Sequence, residues 1–255
     1  MDFWMQTLRA LRFGSSAGVA AVALAIAGAA QAQAPTALTP IASAAAQPPA
    51  PWHVVGLPQQ TKPFTAFSAA TVDGRRALRV EAEASYGNLV HPLDGKAGGA
   101  PGRLAWRWRL EKPLDDSDLR EKRGDDAALK VCAFFDEPLD SIPFADRQLL
   151  RLARSRSAEP VPAATICYVW DTQLAVGTVL DSPFTRRLRY VVLQTGKERL
   201  DRWIAERRDL AADWKRAFGD EAPQVPPLIG IAVGADADNT KGRSVGYVSD
   251  VVLEP

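Results

Sequence analysis

Histidine and cysteine are nearly absent from this sequence, with two of each among 255 residues. His53 and His91 stand in no recognisable motif, and there is no Gly-x-Ser-x-Gly, His-Glu-x-x-His or phosphate-cradling glycine loop. That removes the commonest hydrolase, metalloprotease and nucleotide-binding classes. Cys132 and Cys167 allow at most one intramolecular bridge, so the fold must rest on its core. A surplus of one charge is missing too. Without residues 1–32, 29 Lys and Arg remain of 31 and 29 Asp and Glu of 30, a net charge of zero. A nucleic-acid partner would need a basic surplus on one face, so none is expected.

What is present begins with an address. Arg9 and Arg12 precede an apolar run of small residues at 17–30, and Ala30-Gln31-Ala32 is a small-x-small cleavage signal. The run is shorter than the roughly 20 residues needed to cross a bilayer, and no second run of that length follows. Residues 1–32 therefore read as a bacterial-type signal peptide, with a periplasmic or secreted product and no membrane span after cleavage. Residues 33–51 hold five prolines and only one Leu and one Ile, the composition of a flexible linker. Residues 52–255 form one domain, opening at Trp52.

Within that domain short β-rich runs alternate with turns. In residues 77–84 apolar and charged side chains alternate, the pattern of a half-exposed antiparallel strand. Leu104-Ala105-Trp106-Arg107-Trp108-Arg109-Leu110 puts Trp106, Trp108 and Leu110 on one side and both arginines on the other. Leu129 to Phe135 suits a central strand, and Leu228 to Val233 is the most apolar run of the domain. Helices are expected at 141–157, with Arg147, Arg151 and Arg154 on the wet side, and at 200–218, ended by Gly219. No βαβ rhythm is present. The fold class expected is mainly β: an antiparallel jelly-roll-like β-sandwich with one or two short helices.

The landmarks come in a particular order: Trp106-Arg107-Trp108-Arg109, Gly124-Asp125-Asp126, Phe134-Phe135-Asp136, Tyr168-Val169-Trp170, Trp203, and Asp236-Ala237-Asp238-Asn239-Thr240. This series resembles the exported bacterial family designated domain of unknown function 3047, from about Trp52 to the C-terminus. The resemblance implies an exported single domain and, by analogy with carbohydrate-binding modules, a jelly roll. It carries no established activity, so no residue role transfers from it. Cys132, Cys167 and the length at 141–157 depart from the family pattern.

Four constellations can carry chemistry. Arg107 and Arg109 lie about 6.5–7 Å apart along one strand face, close enough to hold one glycan or envelope ligand. Asp125 and Asp126 are their nearest candidate partners, so the four residues are either a ligand site or an internal salt-bridge set. Asp236, Asp238 and Asn239, with Asp250 returning in the last strand, offer oxygens for a structural Ca²⁺, or else an Asx-turn cluster capping its own backbone. Cys132 and Cys167 fall in strands that the 141–157 excursion joins, either bonded as a disulfide or buried as thiols. The function expected is non-catalytic binding on the Arg107–Arg109 face, with no certain cofactor. The alternative is a carbohydrate-active enzyme: a glycosidase pairing Asp126 with Asp136 or Asp238, or a lyase using His91, Tyr86 and an arginine.

Overall fold

The computed structural model describes residues 38–43, 46–93 and 101–254. The expected signal peptide lies outside them. Among the described residues twelve strands form two sheets. One runs β10 (Ile204–Asp209), β5 (Arg103–Lys112), β12 (Arg243–Glu254), β3 (Arg75–Glu83), β2 (Ala66–Val72). The other runs β1 (His53–Val55), β4 (Tyr86–Pro92), β11 (Leu228–Asp236), β6 (Lys130–Phe135), β7 (Ala164–Asp171), β9 (Thr185–Thr195), β8 (Val179–Ser182). Every pairing is antiparallel except β7 with β9. This is a jelly-roll-like sandwich.

The alternation in β5 explains how the sheets are joined. Leu104, Trp106, Trp108 and Leu110 are buried, and the intervening Ala105, Arg107 and Arg109 are not. Trp106 meets Tyr168 at 5.3 Å and Trp108 meets Trp170 at 5.9 Å between ring centroids, so β5 and β7 interlock across the core. Each ring buries roughly 150–250 Å², a gross gain of about 4–6 kcal/mol. The helix α1 (Phe144–Arg156) lies between β6 and β7, inside the excursion expected at 141–157.

Two expectations are corrected. The helix expected over 200–218 is only α2 (Leu210–Phe218), because Ile204–Asp209 forms β10 and pairs with the edge of β5. Asp209 ends that strand and caps α2, its carboxylate accepting from the Ala212 amide at 2.9 Å. Pairing with β5 overrides the helical period of this stretch. The linker expected at 33–51 is in part packed on the domain, with Leu38 and Ile41, its two large aliphatics, buried in the core. Thr39 fixes them: its amide donates to His91 Nε2 at 3.1 Å and its carbonyl accepts from Trp52 Nε1 at 2.8 Å.

Candidate functional site

The four residues expected to form the arginine site are not together. Arg109 on β5 reaches Asp73 at 3.2 Å and Asp201 at 3.0 Å, and Arg107 reaches Asp250 at 3.6 Å. Both lie on the outer face of the five-stranded sheet, paired with acids from neighbouring turns and from β12, although Arg109 Nε is buried without a hydrogen-bond partner. Asp125 and Asp126 are buried elsewhere, at 5 % and 1 % exposure. Asp126 accepts from the Thr240 amide at 2.7 Å, the Thr240 hydroxyl at 2.6 Å and the Asn239 amide at 3.1 Å. The side-chain amide of Asn239 adds a fourth donor at 3.3 Å. This is a latch between two loops.

The expected calcium ligands are dispersed by the same logic. Asp236, at the end of β11, is neutralised by the Lys130 ammonium at 2.8 Å and accepts from the Ala127 amide at 2.6 Å. Asp238 pairs with Lys62, and Asp250 turns out of β12, at a register shift and with φ of 54°, to meet Arg75 and Arg107. No group of three or more His, Cys, Asp or Glu side chains able to share a metal exists among the described residues. The carboxylates that suggested calcium serve cations and a backbone amide of the chain itself, and Asn239 donates to Asp126.

The acid–base candidates do not converge either. Tyr86 and His91 share β4 but differ by an odd number of positions, so they point to opposite faces. His91 turns inward: Nε2 accepts from Thr39, so Nδ1 carries the proton and donates to the Pro92 carbonyl at 2.8 Å. Burial holds its pKa below the ordinary histidine range. Asp136 lies beside Arg154 at 3.5 Å on the surface.

A cleft is present on the other side of the molecule. The outer face of the seven-stranded sheet bears a groove of about 560 Å³, within the range of ordinary small-molecule sites. Its floor includes Val90, Cys132, Phe134, Cys167 and Leu188, all at outward positions of β4, β6, β7 and β9. Cys132 and Cys167 face each other in the β6–β7 register and are joined by a disulfide, with Cα atoms 4.1 Å apart. Leu149, Leu150 and Ala153 of α1 form one wall. The excursion at 141–157 therefore walls the groove, and the cysteine pair staples its floor.

Polar groups stand at the ends. Arg187 is neutralised by Glu137 and by Glu221, the latter at 3.3 Å. Lys130 is neutralised by Asp236 and lies 4.8 Å under the Tyr86 ring. Asn88 donates to the Tyr86 hydroxyl at 3.1 Å, while its Oδ1 is buried with no hydrogen-bond partner. The neighbouring β11 residue has to be glycine: a Cβ on Gly234 would collide with Asn88 Oδ1 and lie 2.6 Å from the Gly87 carbonyl. Neither Asn88 nor Lys130 stood out as a site residue in the sequence. The available signal was one Lys in the otherwise apolar strand Leu129 to Phe135.

Asp125 completes the buried polar set behind Lys130. Ser182 donates to its Oδ2 at 3.0 Å, whereas Oδ1 has no partner. Burial pushes its carboxyl up to about 6, and the nearby Asp236 charge adds to this against the offsetting Tyr190, Ser182 and Lys130. The folded chain thus holds this proton more tightly than the unfolded one. The resulting stability is fully present below pH about 4 and is lost as pH rises to about 6, a change of about 3 kcal/mol. Denaturant unfolding of the parent and Asp125→Asn at several pH values checks this. The parent's advantage over the variant should shrink by about 3 kcal/mol between pH 4 and 7; a constant difference contradicts the assignment.

The fold and groove define a two-sheet, jelly-roll-like domain with a cleft on the outer face of its larger sheet. The chain belongs to the family described as protein of unknown function (DUF3047), whose family model matches residues 50–252. No curated protein matches it. Among solved structures it is similar to the xyloglucanase domain of NopAA, a type three effector from Sinorhizobium fredii, in complex with cellobiose. That similarity has 9 % identity and a TM-score of 0.41, covering 80 % of this chain and 99 % of the other. A second similarity is to the cellulose induced protein Cip1, at 12 % identity and a TM-score of 0.29, covering 80 % and 90 %.

Proposed function

We propose that this protein is an exported, non-catalytic binding domain that holds a neutral, hydroxyl-bearing ligand of the cell envelope, such as a glycan, in the groove of the seven-stranded sheet. The observation that carries this reading is the hydrogen-bonded pair of Asn88 and the Tyr86 hydroxyl lining one end of a largely apolar groove. A ligand hydroxyl that hydrogen-bonds to this pair would contribute about 0.5–1.5 kcal/mol. The cations at the groove ends are already neutralised by Asp236, Glu137 and Glu221, so the site favours an uncharged group. Of the carboxylates suggested for catalysis, Asp126, Asp136 and Asp238, none lines the groove.

Calorimetry of the full chain against a panel of neutral oligosaccharides tests the reading. A ligand found this way should lose up to about tenfold in affinity on Asn88→Leu. Arg107→Ala with Arg109→Ala, on the opposite sheet, should leave binding unchanged. Binding that follows the arginines and ignores Asn88, or no binding to any neutral glycan, overturns it.

A further inference from the structure

The mouth of the groove is surrounded by exposed apolar side chains from three separate parts of the chain. Leu149 on α1 is 59 % exposed, Phe184 at the β8–β9 turn 55 %, and Leu57 after β1 44 %. The outward face of α1 continues this apolar surface with Phe144 at 70 % and Leu152 at 46 % exposure. Helical spacing places Arg151 and Arg156 on that same face. Their siblings Arg147 and Arg154 have acids, Asp140 and Asp136, each at 3.5 Å. Arg151 and Arg156 have no acidic partner among the described residues. Lys122 adds a cation 5.4 Å from the Phe184 ring.

From this we infer that the groove mouth is a docking surface for an anionic lipid bilayer, with α1 lying in the interfacial plane and the groove opening toward the lipid. Bulky apolar side chains interleaved with unpaired arginines are the composition of an interfacial helix: the apolar groups enter the headgroup boundary and the cations meet lipid phosphates. A second copy is the less suitable occupant. A two-fold interface would set Arg151 and Arg156 against their own copies, and the exposed acid at the groove mouth, Glu159, already lies 3.5 Å from His53. The helix is a surface element, since no described helix is long and apolar enough to cross a membrane. The inference is independent of what the groove binds.

Amide hydrogen exchange of the full chain is the test, because it reads α1 directly. Vesicles of phosphatidylglycerol and phosphatidylethanolamine should slow exchange across residues 144–156, and phosphatidylcholine vesicles should not. Arg151→Gln with Arg156→Gln should weaken that protection by about 25-fold in the lipid concentration needed, at about fivefold per arginine. Phe144→Ser with Leu152→Ser, a second route to the same loss, should weaken it independently of charge. Unchanged exchange with anionic vesicles overturns the inference. So does equal protection by both vesicle types, or protection that grows with protein concentration in the absence of lipid, the mark of self-association. A glycan-binding result of either sign leaves this outcome readable.

Discussion

Lys130→Met should lower the unfolding free energy by about 3–5 kcal/mol, the usual cost of removing one member of a buried ion pair. Lys130 and Asp236 are 4 % and 5 % exposed and meet at 2.8 Å, so neither charge has water to fall back on. Burial works against the lysine charge, yet Asp236, with Tyr86 and Asp125 nearby, more than offsets it and holds the ammonium above its ordinary range. Without Lys130, Asp236 retains only the Ala127 amide at 2.6 Å and becomes an uncompensated carboxylate beneath the groove. At about 2–4 °C per kcal/mol for a domain of this size, the melting temperature should fall by about 6–20 °C. Adding Asp236→Asn should recover most of the loss, because the amide acceptor for Ala127 remains and the stranded charge is gone. A single variant within 1 kcal/mol of the parent, measured by denaturant unfolding, would show that the pair is not needed.

The readable and unreadable parts of this chain divide by the range of the interactions that decide them. Trp106-Arg107-Trp108-Arg109 was legible because alternation is local: burying the tryptophans forces the arginines outward whatever else the chain does. The partners of those arginines were not legible. Asp73 and Asp201 are 36 and 92 residues from Arg109, brought there only when the β2–β3 turn and the approach to β10 fold beside β5. Asp125 and Asp126 were nearer in sequence but lie with the seven-stranded sheet. The span 200–218 misled for a related reason. Its aromatic spacing fitted a helix, but the free edge of β5 claimed Ile204–Asp209 and left the helix only its second half. The groove was the least visible feature, since its floor comes from four strands and its wall from α1, and no single stretch carries its pattern.

Asp126→Ala should cost about 3–6 kcal/mol, despite touching neither the groove nor the tryptophan core. Its carboxylate, in a side chain 1 % exposed, holds the Asn239 and Thr240 amides together with the Thr240 hydroxyl and the Asn239 side chain. The four donors are half-buried, so water recovers part of the penalty of about 1–3 kcal/mol that each would cost if left unpaired in the interior. Asp126→Asn keeps the volume and one acceptor oxygen, so it should lose roughly half as much. The local signature is sharper than the global one: the Asn239 and Thr240 amides should exchange fast in Asp126→Ala while those of β11 stay slow. This distinguishes the latch from the calcium site expected at Asp236, Asp238, Asn239 and Asp250, which shares Asn239 with it. A metal ligand would make chelation imitate the mutation, whereas a latch built from amides should leave the parent's melting temperature unmoved by chelator. The pairing of Gly124-Asp125-Asp126 with Asp236-Ala237-Asp238-Asn239-Thr240 then has a physical reason: one supplies the acceptor, the other the donors, and the two loops close one end of the sandwich on each other.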